Sequence, residues 1–169
     1  MSTHKVQIRP WRVEDLPELV RLANNRRIWV ELRDSFPHPY TAESGRRWIE
    51  FAAGNSSPTH FAIELEGSLV GSVGYIPGRD IERCGAEVGY WVGEPYWGRG
   101  IATVAVGTLI DSLRVAAEYT RLFALPFASN VPSRRVLEKS GFRLDAVLEC
   151  SAIKDGRVVD QCMYSRVLR

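Results

Sequence analysis

The segment with the clearest chemical pattern runs from Gly93 to Gly100 and reads Gly-Glu-Pro-Tyr-Trp-Gly-Arg-Gly. It follows a predicted strand that ends at Val92 and precedes a predicted helix that begins near Ile101. Glycines let the backbone approach a ligand closely, and the unpaired N–H groups and positive dipole end of a helix N-terminus attract phosphate oxygens. The pattern predicts a cradle for a diphosphate; a tight connection without any ligand is the alternative.

Two widespread phosphate motifs do not fit this segment. A Walker loop requires a Gly-Lys-Ser/Thr ending, which is missing here, and the dinucleotide fingerprint would need a third glycine where the chain has Thr103. We therefore expect a phosphate cradle of another kind.

The elements that position this segment follow from the spacing of apolar residues. From Ile101 to Ala116 these residues form one stripe at helical spacing, which predicts a helix packed against a sheet. Helices are also predicted at Val13 to Asn24, Ala42 to Ala53 and Val131 to Ser140, and strands at Val6 to Arg9, Phe61 to Leu65, Leu69 to Ile76, Gly85 to Val92, Leu122 to Phe127, Phe142 to Cys150 and Arg157 to Val167. This order predicts an α+β fold with a mixed sheet.

The composition narrows the class of protein. A length of 169 residues with 45% hydrophobic residues predicts a single domain spanning residues 1–169, and a net charge of +2 without a basic stripe disfavours a nucleic-acid-binding domain. Three widely spaced cysteines, Cys84, Cys150 and Cys162, with no nearby histidine indicate a reducing compartment and no metal site. The charged N-terminus and the lack of a long apolar stretch predict a cytoplasmic protein without membrane contact.

Four motifs in chain order resemble the GNAT N-acetyltransferase family. The stretch from Trp97 to Ala102 is similar to the family's acetyl-CoA motif, Gln/Arg-x-x-Gly-x-Gly/Ala, with Trp97 in place of the usual Gln or Arg. That replacement resembles the branch that acetylates ribosomal-protein N-termini, as do the strand Glu-Val-Gly-Tyr-Trp at 87–91, Ile-Arg-Pro-Trp at 8–11, and the stretch from Asn130 to Phe142. The resemblance covers nearly the whole chain. It implies a mostly antiparallel sheet with helices on both faces and a V-shaped splay at the cofactor site.

The resemblance also implies acetyl-CoA as the acetyl donor, without a metal. N–H groups from Gly98 to Thr103 would hold the pyrophosphate, the strand residues up to Val92 would run beside the pantetheine arm, and an N–H near Val92 would stabilise the oxyanion. Asn130 would bond the pantetheine, although helix capping explains this residue equally well. Arg99 and Arg135 would assist the phosphates, with a solvated helix face as the alternative explanation. The expected cofactor-binding residues are Tyr90, Trp91, Val92, Gly98, Arg99, Gly100, Ile101, Ala102, Thr103, Asn130, Ser133 and Arg135.

Two residues are candidates for proton transfer. Glu87, on the strand that leads to the cofactor, is the candidate base, with a surface carboxylate as the alternative. Many family members have a tyrosine as general acid in the helix after Asn130, whereas this chain has Leu137 at that position. Ser133 is the nearest replacement by motif position, and a first-turn or capping serine is its alternative explanation.

The acceptor is expected to be a primary amine. The first candidate acceptor is a protein or peptide N-terminus, and the second is a small molecule such as a polyamine, an amino acid or an antibiotic. A different class of function is a non-catalytic acetyl-CoA-binding module, which only Leu137 supports. The irregular region from Ile28 to Tyr40 and the terminal strands should determine the acceptor. The sequence leaves the oligomeric state open.

Overall fold

A computed structural model of the chain describes residues 5–54 and 56–168. Within these ranges the α-helices are α1 (Leu16–Ala23), α2 (Arg26–Trp29), α3 (Ala42–Ala53), α4 (Ile101–Ala116) and α5 (Val131–Lys139). The strands are β1 (Val6–Arg9), β2 (His60–Leu65), β3 (Ser68–Pro77), β4 (Gly85–Val92), β5 (Arg121–Ala124), β6 (Arg143–Lys154) and β7 (Arg157–Val167). Short 3-10 turns occupy Val13–Asp15, Asp80–Cys84 and Glu94–Tyr96.

The seven strands form one sheet in the order β1-β2-β3-β4-β5-β7-β6. The neighbouring strands are antiparallel, except for the parallel pair β4 and β5. A parallel pair needs a long crossover, which α4 supplies. The predicted α+β fold with a mixed, mostly antiparallel sheet is confirmed.

Helices cover both faces of the sheet. On one face, α4 buries Ile101, Ala105 and Leu109, one helical turn apart, in a cluster that includes Ile63 and Val70 of the sheet. On the other face, α1 and α3 contribute to a second cluster; its buried members are Trp11, Leu19, Ala23, Tyr40, Ile49, Ala52, Ala62 and Leu69. The two-sided burial confirms the predicted placement of helices on both faces.

The structure corrects three predicted boundaries. The strand predicted at Leu122 to Phe127 ends at Ala124, because Pro126 has no N–H for a ladder, and Phe127 keeps only an isolated bridge to Gln161. The strand predicted to end at Cys150 runs to Lys154, since a shift in register, with Cys150 at a φ of 50°, lets pairing continue. The helix predicted from Val13 begins with a 3-10 turn, and α1 starts at Leu16.

The short helix α2 overlaps the start of the region from Ile28 to Tyr40 that the sequence predicts to be irregular. Its N-terminus is capped by Asn25, whose side-chain oxygen accepts from Arg27 N at 2.8 Å. A four-residue helix has too few apolar positions to show a periodic pattern, so the sequence alone does not reveal it.

A buried ionic cluster joins β1, β2 and the start of α1. The guanidinium of Arg9 makes two bonds to the carboxylate of Asp15, at 2.7 and 2.8 Å, and a third bond to Glu64. Gln7 donates to the same Glu64 side chain. The hydrogen bond from Arg9 is the main cause that lowers the pKa of Glu64 below its ordinary value.

Candidate active site

The parallel strands β4 and β5 separate before β4 ends. They are paired only from Gly85 with Arg121 to Glu87 with Phe123, whereas β4 continues along β3 as far as Val92. After Ala124 the chain turns to β7 instead, where Cys162 N donates to Pro126 O at 2.9 Å. The two strands therefore enclose the V-shaped opening that was predicted.

One edge of this opening carries backbone groups that have no strand partner. Gly78 N donates to Gly85 O and Gly93 N donates to Val70 O, both at 2.8 Å, so the odd-numbered residues of β4 direct their backbone groups at β3. By alternation, the N–H and C=O groups of Tyr90 and Val92 face the opening. An extended ligand could bond there as an added strand would.

The glycine-containing turn lies at the mouth of the opening and leads into α4. Gly98 and Gly100 adopt φ values of 72° and 74°, in the left-handed region that favours glycine. At either glycine, no atom lies within 4 Å of the point that a Cβ would occupy. Within the described chain, no backbone hydrogen bond engages the N–H groups from Gly98 to Thr103, and the first such bond is Val104 N to Gly100 O. Open space and free donors fit a pyrophosphate.

Trp97 fixes this turn to the end of β4. Its indole Nε1 donates to the carbonyl oxygen of Val92 at 2.7 Å, across the base of the turn. The guanidinium of Arg27 lies 5.1 Å from the centre of the Trp97 ring and forms an ion pair with Glu94. The residue that departs from the family motif thus has a structural role, because it holds the turn against the open strand edge.

The first turn of α5 brings three predicted residues together. Asn130 Oδ1 accepts from Ser133 N at 3.1 Å, so Asn130 is the helix cap and Ser133 a first-turn residue. The phenol of Tyr90 lies 2.9 Å from both the carbonyl oxygen and the hydroxyl oxygen of Ser133. Burial raises the pKa of Tyr90 well above its usual range, so the phenol stays protonated at neutral pH.

The basic side chains near α5 divide into two groups. Arg134 donates to the Tyr164 hydroxyl at 3.2 Å and to the carbonyl of Ala128 at 3.1 Å, which makes it part of the scaffold. Arg135 lines the cleft, as does Arg99 on the glycine turn, whose guanidinium lies 5.9 Å from the Tyr96 ring. Lys139, at the end of α5, also lines the cleft, and these three side chains can attract phosphates.

All the predicted site residues line a single cleft of about 1270 Å³. The cleft extends from the glycine turn, through the V-shaped opening, to the region between the sheet and the segment 28–40. Leu137 is fully buried and forms part of the wall. The lining includes Glu87, Tyr90, Trp91, Val92, Gly98, Arg99, Gly100, Ile101, Ala102, Thr103, Asn130, Ser133 and Arg135.

The far half of the cleft is bounded by alternate residues of β4. Glu87, Gly89 and Trp91 share the face of the strand opposite to Val88 and Val92, and Trp91 packs against Phe36 with ring centres 5.7 Å apart. Trp91 therefore lines the cleft on one face of the sheet, and Tyr90 lines it on the opposite face. A Cβ at Gly89 would also meet no atom within 4 Å, which leaves room between Glu87 and Trp91.

Glu87 has a partner that the sequence did not indicate. Arg33, in the connection between α2 and α3, donates to the Glu87 carboxylate across the cleft. Arg33 is mostly exposed, whereas the Glu87 side chain is about 20% exposed. Arg33 thus bonds one oxygen of the Glu87 carboxylate near the opening.

The terminal hairpin of β6 and β7 supports the segment 28–40. Lys154 Nζ lies 2.8 Å from Asp34 Oδ1 and 3.9 Å from the centre of the Trp29 ring, and Arg26 forms an ion pair with Asp155. These contacts are between residues more than one hundred positions apart, so no local sequence pattern could have revealed them.

Two further observations concern the described residues alone. No group of three or more His, Cys, Asp or Glu side chains in the ranges 5–54 and 56–168 is arranged to hold a metal ion. No helix in the same ranges is both long and apolar enough to span a membrane.

Comparisons with known proteins agree with this geometry. A family model described as an acetyltransferase (GNAT) domain matches residues 5–143. A putative ribosomal N-acetyltransferase of Bacillus subtilis, YdaF, is 33% identical over 161 residues, which are 90% of this chain and 81% of the relative. The spermidine N(1)-acetyltransferase of Escherichia coli is 26% identical over 87% of this chain and 77% of its own length. The chain spans about half the length, 51%, of another relative, the uncharacterized N-acetyltransferase p20 of Bacillus licheniformis, at 33% identity over 53% of this chain.

Solved structures show the same fold. RimL, a ribosomal α-N-protein acetyltransferase in complex with coenzyme A, superposes with a TM-score of 0.86 at 19% identity, covering 98% of this chain and 95% of that one. RimJ of Mycobacterium smegmatis, in complex with a CoA disulfide, superposes with a TM-score of 0.83 at 25% identity, covering 96% and 81%. The family model extends over more than half of the chain and the fold agrees throughout. This protein therefore belongs to the GNAT family of acetyltransferases.

Proposed function

We propose that this acyltransferase moves an acetyl group from acetyl-CoA to a primary amine, and that the amine is the N-terminus of a protein or peptide. One observation carries the proposal: the free N–H groups from Gly98 to Thr103 and the edge of β4 at Tyr90 and Val92, which has no strand partner, open into the same cleft as Glu87. The names of two similar proteins, the putative ribosomal N-acetyltransferase YdaF and the ribosomal α-N-protein acetyltransferase RimL, support the protein N-terminus as acceptor.

The half of the cleft that contains the glycine turn and the V-shaped opening, called the donor half, binds the phosphates and the pantetheine arm of acetyl-CoA. The N–H groups at the start of α4 bond the pyrophosphate oxygens, and Arg99 and Arg135 add positive charge near them. The backbone groups of Tyr90 and the N–H of Val92 bond the amides of the pantetheine arm, while the Val92 carbonyl accepts from Trp97. The Asn130 side-chain oxygen already caps α5, so its amide N–H₂ is the part that can donate to the donor molecule.

The acceptor half has to supply a neutral amine. An N-terminal amine has a pKa near ~8 and is partly neutral at pH 7, whereas a lysine-like amine near ~10.4 needs far more help. Glu87 accepts the proton, directly or through water, while Arg33 holds its carboxylate at the edge of the opening. A peptide N-terminus therefore suits a base of modest strength.

The leaving thiolate makes only a small demand on an acid. A thiol with a pKa around ~8.5 leaves readily, so a site without the usual tyrosine can still turn over. Ser133 is the nearest hydroxyl by motif position, and its bond to Tyr90 supplies a second hydroxyl beside it.

A small polyamine is the second candidate acceptor, and the resemblance to a spermidine acetyltransferase over 87% of the chain favours it. Release of coenzyme A thiol from acetyl-CoA, measured with N-terminal peptides and with polyamines, tests both candidates. We expect turnover with peptides to exceed turnover with spermidine. Acetyl-CoA binding without thiol release for any amine would instead identify a non-catalytic binding module.

A further inference from the structure

Glu31 is a carboxylate in the cleft that has no partner among the described residues. It follows α2, where its backbone N–H donates to Ile28 O at 3.1 Å. Its Oε2 atom is buried without a hydrogen-bond partner, and burial raises the pKa of the carboxyl above its ordinary value. Glu31 as a whole is only partly buried, but a buried carboxylate oxygen without a partner disfavours folding, so such a residue is expected where a ligand completes its environment.

The cations that lie near Glu31 in the chain are engaged by other carboxylates. Arg26 forms an ion pair with Asp155, Arg27 with Glu94, and Arg33 with Glu87. Lys154, which reaches this segment from the terminal hairpin, is paired with Asp34. The segment 26–34 therefore leaves one carboxylate, Glu31, for a cation that the described chain does not supply.

Aromatic rings line the same cleft as Glu31. The lining includes Phe36, Tyr40, Trp48, Phe51, His60 and Trp91. The rings contact one another, with centres 5.0 Å apart for Phe36 and Tyr40 and 5.1 Å apart for Trp48 and His60. Burial lowers the pKa of His60, so its imidazole adds no positive charge at neutral pH. Ring faces attract an ammonium ion and offer apolar surface to its neighbouring group.

We propose that Glu31 is the counter-ion of the acceptor's ammonium group, and that the rings select an acceptor whose ammonium carries an apolar or aromatic side group. This inference rests on the proposed function, because the ammonium is that of the amine to be acetylated. A peptide N-terminus with an apolar or aromatic first residue, or an arylalkylamine, satisfies both parts of the site. A polyamine satisfies only the ionic part.

Binding measured without acetyl-CoA tests the inference apart from catalysis. The probes are 2-phenylethylamine and 2-phenylethanol, which share ring and chain length and differ in charge. NMR titration of the full chain should give an amine affinity at least tenfold above that of the alcohol. Glu31→Gln should reduce that preference to twofold or less and leave alcohol binding within twofold. Glu50→Gln, which removes an exposed acid of α3 outside the cleft lining, should leave both affinities unchanged.

Several results would overturn the inference. They are a wild-type protein that binds the two probes equally or not at all, a Glu31→Gln variant that keeps the tenfold preference, and spermidine that binds more tightly than 2-phenylethylamine. Glu31→Asp keeps the charge and should keep most of the preference, so it decides the matter if the Gln variant does not fold. Thiol release from acetyl-CoA with the same amine tests the proposed function separately. Selective binding without release would contradict acetyl transfer and leave the role of Glu31 intact.

Discussion

The phenol oxygen of Tyr90 lies 2.9 Å from the carbonyl oxygen and 2.9 Å from the hydroxyl oxygen of Ser133. Because the single phenol proton goes to the carbonyl, the hydroxyl of Ser133 is the donor in the second contact. The two residues belong to β4 and α5, so this pair of bonds joins two sides of the cleft. It also engages the Ser133 proton with Tyr90.

This geometry predicts a small kinetic role for Ser133. We expect Ser133→Ala to lower turnover by less than about tenfold, or ~1.4 kcal/mol of barrier, because water can protonate an acidic thiol. The free energy of unfolding of Ser133→Ala should change by no more than about 1 kcal/mol, because Asn130 provides the helix cap. Asn130→Ala is the matched control for stability, and it should lose about 1 kcal/mol because it removes the cap. Turnover, acetyl-CoA affinity and denaturant midpoint are measured on each variant. A thousandfold fall in turnover with normal affinity and stability would make Ser133 catalytic.

Replacement of a glycine in the turn should abolish donor binding. Gly100→Asp places a carboxylate among the N–H groups that are proposed to hold the pyrophosphate, and its charge would repel the phosphates. The space beside Gly100 is open, so the fold should survive with a modest loss from the left-handed backbone. Calorimetry with coenzyme A and acetyl-CoA measures the affinity.

The matched control for this variant is Gly67→Asp. Gly67 also has a left-handed φ, 85°, and open space beside it, but it lies in the turn between β2 and β3, outside the cleft lining. It should show a similar loss of stability and normal coenzyme A affinity. Unchanged affinity in the folded Gly100→Asp protein would contradict the proposed phosphate site.

Gly89 offers a way to obstruct the acceptor without touching the donor site. It lies between Glu87 and Trp91 on one face of β4, next to open space. Gly89→Val should raise the KM for the amine at least tenfold and leave acetyl-CoA affinity within twofold, and a β-branched residue suits a strand. Gly107→Ala, at an open position of α4 away from the cleft, is the control. An unchanged amine KM would show that the acceptor does not approach this face.

The sequence was sufficient to predict those parts of the site that depend on local backbone conformation. The turn from Gly98 to Gly100, the start of α4 at Ile101 and the cap at Asn130 each follow from glycine, helix periodicity and capping chemistry. These features involve neighbours within a few positions, so their signals survive in a single sequence. The resemblance then implied the mostly antiparallel sheet, the helices on both of its faces and the splay at the cofactor site.

The acceptor half could not be predicted in the same way. Arg33 meets Glu87 across 54 positions, and Lys154 meets Asp34 across 120, so neither pair has a local pattern. The isolation of Glu31 is equally hidden, because it depends on where three nearby arginines find their partners. The prediction that the region from Ile28 to Tyr40 determines the acceptor stays a prediction, although most residues of this region line the cleft.

The buried ionic cluster should give the fold a defined pH dependence. Arg9 lowers the pKa of Glu64 in the folded protein, whereas in the unfolded chain this carboxyl has an ordinary pKa near ~4.3. As the pH falls, Glu64 is therefore protonated in the unfolded chain before it is protonated in the folded protein. The stabilisation is therefore complete above that pH and is lost as the pH falls through the lower, folded-state pKa. Glu64→Gln should reduce the free energy of unfolding by about 1–3 kcal/mol at pH 7, and the difference from wild type should shrink towards pH 3. Urea unfolding at both pH values measures it, with exposed Glu14→Gln as control. A difference that does not vary with pH would show that the charge of Glu64 is unimportant.

The pairing of Glu87 with Arg33 separates two roles for the carboxylate. If Glu87 accepts the amine proton, Glu87→Gln should keep acetyl-CoA affinity and lose up to ~100-fold in turnover, most visibly at low pH, where the acceptor amine is protonated. Arg33→Gln removes the ion pair but keeps the carboxylate, so it should retain most of the rate. Full pH–rate profiles of both variants and the wild type distinguish the roles. If the Glu87→Gln profile overlays that of the wild type, the residue is structural. If both variants slow the reaction equally at every pH, Glu87 acts through its ion pair, which would place the segment around Arg33, and not a proton transfer, in control of the rate.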